Sequence, residues 1–132
     1  MTDLVQHRGA VTSVVISEDG GVVVSGGVDS VVSIYSSVTG TSVQCSGQQD
    51  SVRDVRIIER GDRVLSCSLS GKLRVWNIVS GKLELTVVSG CTDHATCLDV
   101  TERDGETLAA VSGVSGGVKI VELKSGQKLL EV

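Results

Sequence analysis

The sequence predicts an all-β protein: three four-stranded antiparallel units in a single repeat domain spanning residues 1–132. Three observations predict it. A nine-residue pattern occurs three times, as Val32-Ser33-Ile34-Tyr35-Ser36-Ser37-Val38-Thr39-Gly40, as Leu73-Arg74-Val75-Trp76-Asn77-Ile78-Val79-Ser80-Gly81 and as Val118-Lys119-Ile120-Val121-Glu122-Leu123-Lys124-Ser125-Gly126. Its closing glycines lie 41 (81 − 40) and 45 (126 − 81) residues apart, a period at which each unit is too small to bury its own apolar face and must stack on its neighbours. The chain is 40% hydrophobic with 2% aromatics and no proline, so its core is built from valine, isoleucine and leucine, which suit the pleated surface of a strand. Finally, each repeat divides into short apolar runs separated by Gly, Asp and Ser turns, the pattern of successive antiparallel strands.

In the first repeat, Val11 to Ile16 reads as a strand ended by Ser17-Glu18-Asp19-Gly20-Gly21. Val22 to Ser25 reads as the second, ended by Gly26-Gly27-Val28-Asp29-Ser30. Val31 to Tyr35 is the third and Thr41 to Cys45 the fourth. The second repeat reads as Val52 to Ile57, Arg63 to Ser68, Lys72 to Trp76 and Lys82 to Val87, with turns at Arg60-Gly61-Asp62 and Ser70-Gly71. Its third strand alternates, with Leu73 and Val75 on one face and Lys72, Arg74 and Trp76 on the other. The third repeat reads as Ala95 to Val100, Thr107 to Val111, Gly117 to Val121 and Gln127 to Val132. No segment with helical periodicity competes.

These residues resemble the WD40 family of β-propellers. The resemblance is carried in the first repeat by Gln6-His7, Ser17-Glu18-Asp19-Gly20, Ser25-Gly26-Gly27, Asp29 and Tyr35-Ser36. The second repeat carries it on Gly47-Gln48, Ser66-Cys67-Ser68, Ser70 and Trp76-Asn77, and the third on Gly90-Cys91, Arg103-Asp104-Gly105, Ser115 and Val121-Glu122. It implies blades at about residues 5–46, 47–89 and 90–132. It also implies a structural hydrogen-bonded network drawn from His7, Ser25, Asp29, Tyr35, Ser66, Ser70 and Trp76, of which only the first repeat keeps the His, Ser and Asp together. The other two repeats are then expected to rely on aliphatic packing, at modest stability.

Closed propellers have four to eight blades, so three make an open arc. Each end of an arc exposes an apolar blade face, which soluble proteins rarely leave in water. The expectation is a homodimer in which two copies close a six-bladed ring. Outer-strand exchange is expected at the termini, between Met1, Thr2, Asp3 and Leu4 at one end and Leu130, Glu131 and Val132 at the other. The alternatives are a fragment of a longer propeller, or a structural self-assembling half-propeller without a ligand of its own.

The formal net charge of −4, with no long Lys/Arg run, argues against nucleic-acid binding. No apolar run is long enough to cross a bilayer and no signal peptide is evident, so neither membrane nor secretion is expected, and the compartment expected is the cytoplasm. Cys45, Cys67, Cys91 and Cys97 then read as reduced thiols. Cys91-Thr92-Asp93-His94-Ala95-Thr96-Cys97 invites a zinc reading, but it lacks a fourth ligand and its spacing fits none of the usual paired-cysteine sites. His7 and Asp29 read as structural rather than catalytic. The glycines of Gly113-Val114-Ser115-Gly116-Gly117 fall in a hairpin turn, without the Lys-Ser/Thr and helix of a phosphate loop. No enzyme and no cofactor are expected. The function implied by the resemblance is a non-catalytic protein–protein interaction scaffold or sensing module. Its partner-binding loops are expected on one face, at Arg8, Asp50 and Asp93 before the first strands and at Val28, Leu69 and Val114 between the second and third.

Overall fold

The computed structural model describes residues 7–45, 50–89 and 94–125, together with the backbone alone of 128–131. Among them, β1 (Val11–Ile16), β2 (Val22–Gly27), β3 (Val32–Ser36) and β4 (Thr41–Cys45) pair in chain order as the first antiparallel sheet. The second holds β5 (Val52–Ile58), β6 (Arg63–Ser68), β7 (Lys72–Asn77) and β8 (Leu83–Val88). The third holds β9 (Ala95–Arg103), β10 (Glu106–Gly113), β11 (Val118–Glu122) and β12 (Lys128–Glu131). Each sheet is one blade. The largest departure from expectation is in the third, where β9 and β10 run on to a tight turn at Asp104-Gly105, both with positive φ (50° and 77°). The turn expected at Arg60-Gly61-Asp62 forms as a 3-10 turn over Glu59–Gly61.

The glycine that closes the nine-residue pattern has a direct cause. After β3 and β7 the chain reverses through Gly40 (φ 70°) and Gly81 (φ 72°), a conformation that costs a side-chain-bearing residue steric strain. There the Gly40 N–H donates to the Ser36 carbonyl and the Gly81 N–H to the Asn77 carbonyl, each at 2.9 Å. Gly126 lies outside the described residues.

Alternation along the strands sorts the apolar side chains into two cores, one at each boundary between blades. Val24, Val32, Ile34 and Cys45 of the first blade pack on Val52, Val55, Val64 and Trp76 of the second. From the opposite face of the second blade, Leu65, Cys67, Leu73, Val75 and Val87 pack on Leu98, Ala109, Val111 and Val121 of the third. Leu73 and Val75 thus face one neighbour and Trp76 the other, and the middle blade is buried on both sides. Among the described residues nothing packs on the outer side of β1. Val11, Val14 and Ile16 are 54%, 63% and 65% exposed, whereas Val52 and Val55, in the same register one blade on, are fully buried.

At the first boundary the sheets approach so closely that only glycine fits at position 26. A Cβ there would strike the Val52 side chain and lie 3.1 Å from Val55 Cγ1. Gly26→Ala is expected to lower stability by about 1–3 kcal/mol in a urea melt, the usual cost of overpacking. An unchanged midpoint would mean that the first two blades are not in close contact.

Candidate functional site

In a four-stranded antiparallel blade, the segment before the first strand and the loop between the second and third meet at one end of the sheet. The same hydrogen bond closes that end in all three repeats. Val28 N–H donates to the Ala10 carbonyl at 2.9 Å, Leu69 N–H to the Ser51 carbonyl at 2.8 Å and Val114 N–H to the His94 carbonyl at 3.2 Å. One bond carries each of the first two loops onto the next blade: the Ser51 hydroxyl donates to the Val28 carbonyl at 3.3 Å, and Ala95 N–H donates to the Leu69 carbonyl at 3.0 Å. The row of Val28, Leu69 and Val114 therefore lies along one face of the arc. Val28 and Val114 are exposed, Leu69 and Asp50 half-buried, and Arg8 exposed beside them. Asp93 lies outside the described residues.

Beneath this face the first blade holds a polar chain. The His7 Nδ1–H donates to Asp29 Oδ1 at 3.0 Å, which leaves Nε2 to accept from the Ser25 hydroxyl at 2.8 Å. Asp29 also accepts from the Arg8 N–H at 2.9 Å and the Val31 N–H at 3.3 Å. Burial pushes the Asp29 carboxyl up, but the bonds from Arg8, His7 and Val31 outweigh it and hold it below the ordinary value of 3.8. Tyr35 does not extend this chain: among the described residues it forms no hydrogen bond to Ser25, and it sits in β3 opposite Val23 and Ser42.

The second blade splits the network in two. Trp76 Nε1–H donates to the Ser66 hydroxyl at 2.9 Å. Ser70, in the place of Asp29, instead donates its hydroxyl to Asp50 at 2.6 Å and its N–H to the same carboxylate at 3.0 Å. The acid has moved from the loop between strands to the segment before the first strand, and donor and acceptor have exchanged sides. Burial raises the Asp50 carboxyl, and the hydroxyls of Ser70 and Ser68, the Ser70 N–H and the Arg74 charge bring it below its ordinary value. Gln48, in the place of His7, lies outside the described residues. In the third blade Val111 and Val121 take the places of Ser66 and Trp76 and are fully buried.

A second set of polar contacts, which the sequence reading did not single out, runs along the first strands. β1, β5 and β9 share one β-bulge, at Thr12, Arg53 and Thr96. The bulge turns a side chain toward the following blade. Thr12 donates to the Val52 carbonyl at 2.6 Å and Arg53 Nε–H to the Ala95 carbonyl at 3.2 Å. The next residue does the same in reverse, since the Val55 N–H reaches the Ser13 hydroxyl at 3.3 Å and the Leu98 N–H reaches Asp54 Oδ2 at 2.9 Å. Asp54 also accepts from the Ser13 hydroxyl and from Arg56 Nη1–H, both at 2.7 Å.

Cys97 is exposed and within 3.1 Å of the Ser112 hydroxyl, while Cys45 and Cys67 are buried in different cores. Cys91 lies outside the described residues. Burial pushes the Cys45 thiol up to about 12, so it stays protonated. Among the described residues no helix is long and apolar enough to cross a membrane.

The family described as WD domain, G-beta repeat matches residues 1–36 and 40–77, more than half of the chain. The chain belongs to the WD40 repeat family. WD40 domains generally serve as non-catalytic scaffolds that bind proteins. Among its relatives is mouse apoptotic protease-activating factor 1, 34% identical over 80 residues that make up 61% of this chain and 6% of that protein. The human protein of the same name is 28% identical over 79 residues, 60% of this chain and 6% of the relative. Autophagy-related protein 16 of Arabidopsis thaliana is 27% identical over 121 residues, 91% of this chain and 23% of its own length. The chain thus matches less than a quarter of each of these WD40 relatives.

The bonds to Asp29 have a pH signature. Its folded-state value lies below that of the unfolded chain, so its stabilisation is complete above the ordinary value and is lost as pH falls through the folded value. Asp29→Ala is expected to cost about 1–2 kcal/mol at pH 7 by urea melt, and the penalty should shrink below about pH 4. A penalty that stays constant down to the acid transition would remove Asp29 from the acid response.

Proposed function

We propose that this chain is a single WD40-type interaction domain, residues 1–132, which binds a protein or peptide partner on the face that carries Arg8, Val28, Asp50, Leu69 and Val114; Asp93, the further candidate, lies outside the described residues. The observation that carries this reading is the row of Val28, Leu69 and Val114, apolar residues at one end of three successive blades, each fixed by the same backbone bond and flanked by charge. Apolar contacts inside a polar rim are the usual anatomy of a protein-binding patch. One relative is named as a factor that activates a protease, and by analogy we place this domain as the recognition or sensing part of a larger assembly, in the cytoplasm.

The exposed outer side of β1 supports the second part of the reading, closure of the arc by another copy into a six-bladed ring. In this arrangement Leu130 and Glu131, which pair with Ile120 and Lys119 at the outer edge of the third sheet, lie at the junction. Met1, Thr2, Asp3, Leu4 and Val132, the other candidates for outer-strand exchange, lie outside the described residues.

Two measurements test the parts separately. Light scattering over a dilution series is expected to approach twice the 13.7 kDa chain mass at high concentration, and a constant monomer mass would contradict closure. Val28→Glu, Leu69→Glu and Val114→Glu together are expected to abolish capture of the partner with the melting temperature unchanged. Retention of every captured protein would contradict the assignment of the binding face.

A further inference from the structure

Each boundary inside the chain is made by the same pair of positions on the first strand of one blade and the same pair of backbone groups on the next. Thr12 and Ser13 serve the carbonyl of Val52 and the N–H of Val55, and Arg53 and Asp54 serve the carbonyl of Ala95 and the N–H of Leu98. The third blade carries the giving half of a further boundary. Thr96 stands at the bulge and Cys97 follows it, in the register of Thr12-Ser13 and Arg53-Asp54. Thr96 resembles Thr12 closely, for its hydroxyl lies 2.8 Å from Ser112 Oγ, just as that of Thr12 lies 3.0 Å from the carbonyl of Gly26, the residue in register with Ser112. The first blade carries the receiving half, with the Val11 carbonyl and Val14 N–H in the register of Val52 and Val55.

The apolar residues follow the same division. Ala110, Val118 and Ile120 on the outer face of the third blade occupy the register of Val24, Val32 and Ile34, which are buried in the first core. They remain partly exposed. Val14 of the first blade is 63% exposed, whereas its register mates Val55 and Leu98 are buried to 0% and 2% exposure. One chain therefore holds two complementary half-boundaries at opposite ends of the arc, and two copies satisfy all four halves at once.

We propose that the outer face of the third blade docks the first blade of a second copy of this chain, with the Thr96 hydroxyl donating to the partner's Val11 carbonyl and the Cys97 sulfur accepting from the partner's Val14 N–H. This rests on the closure proposed above and specifies its contacts. The boundary between copies differs from the internal two in its acceptor, a thiol where they have a hydroxyl or a carboxylate. Sulfur is a weak acceptor. The junction between copies is thus built as the weakest of the three, and the ring opens there before the blades separate elsewhere.

Sedimentation velocity over a dilution series, with melting curves as the check on folding, tests this on the intact chain. Thr96→Val keeps the side chain's shape and removes one donor at each of two junctions, and is expected to raise the dimer dissociation constant about tenfold. Cys97→Ser supplies the acceptor found at Ser13 and is expected to hold or lower that constant. Cys97→Arg places a bulky charge on the junction and is expected to leave a monomer with an unchanged melt; should it fail to fold, Thr96→Val decides alone. A wild-type dimer whose dissociation constant is unmoved by Thr96→Val overturns the docking mode and leaves closure standing. A wild-type chain that is monomeric at every concentration overturns both.

Discussion

Asp54 is the group on which the arrangement of the three blades depends. Its side chain is 10% exposed, and it accepts from Ser13 on the first blade, from Arg56 and the Val55 N–H on its own, and from the Leu98 N–H on the third. A carboxylate taken so far out of water persists only where donors surround it. Here the donors come from three different sheets, so satisfying one charge also fixes the spacing of β1, β5 and β9. The bulge at Arg53 makes this possible by locally re-aiming a strand that would otherwise alternate strictly between the two faces.

The remaining polar contacts thin out along the chain. The first blade keeps His7, Asp29 and Ser25 in one connected chain, the second divides the task between Trp76 with Ser66 and Asp50 with Ser70, and the third replaces the corresponding serine and aromatic by buried valines. This substitution is energetically reasonable, because a well-packed apolar pair costs nothing in desolvation while a half-satisfied network does. It also means that the third blade depends on the second for its order, through Leu98, Val111 and Val121 packed on Leu65, Leu73 and Val75.

Most strand positions were legible in the sequence, since a period of two between Gly, Asp and Ser turns survives even where the family's polar residues are lost. The ends of β9 and β10 were not, because Thr101-Glu102-Arg103 and Glu106 are polar and exposed there and read as a turn in any apolar pattern. His7, Ser25 and Asp29 were placed together by the resemblance, and hydrogen bonds join them in the structure. Tyr35 takes the register of Trp76, but among the described residues no hydrogen bond joins it to Ser25 as the Trp76 indole N–H is joined to Ser66. Asp50 was legible as a loop residue but not as the partner of Ser70, for the exchange of acid and hydroxyl across the loop leaves no mark in a repeat aligned position by position. Asp54 and Thr96 were invisible for a simpler reason. A polar residue in an alternating strand reads as facing solvent; the bulge turns Asp54 toward its neighbouring sheets, and Thr96 sits at the same bulge of β9.

One carboxylate couples the three first strands, and amide hydrogen exchange at Val55 and Leu98 tests that coupling directly. Both N–H groups lie on the side of the first strand that faces away from its own sheet partner, so only Ser13 and Asp54 shield them. Slow exchange is expected at both amides in the wild-type chain, with loss of protection at both together in Asp54→Ala and β2 and β6 still protected. Fast exchange of Leu98 in the wild type, or unchanged protection in the variant, would contradict it.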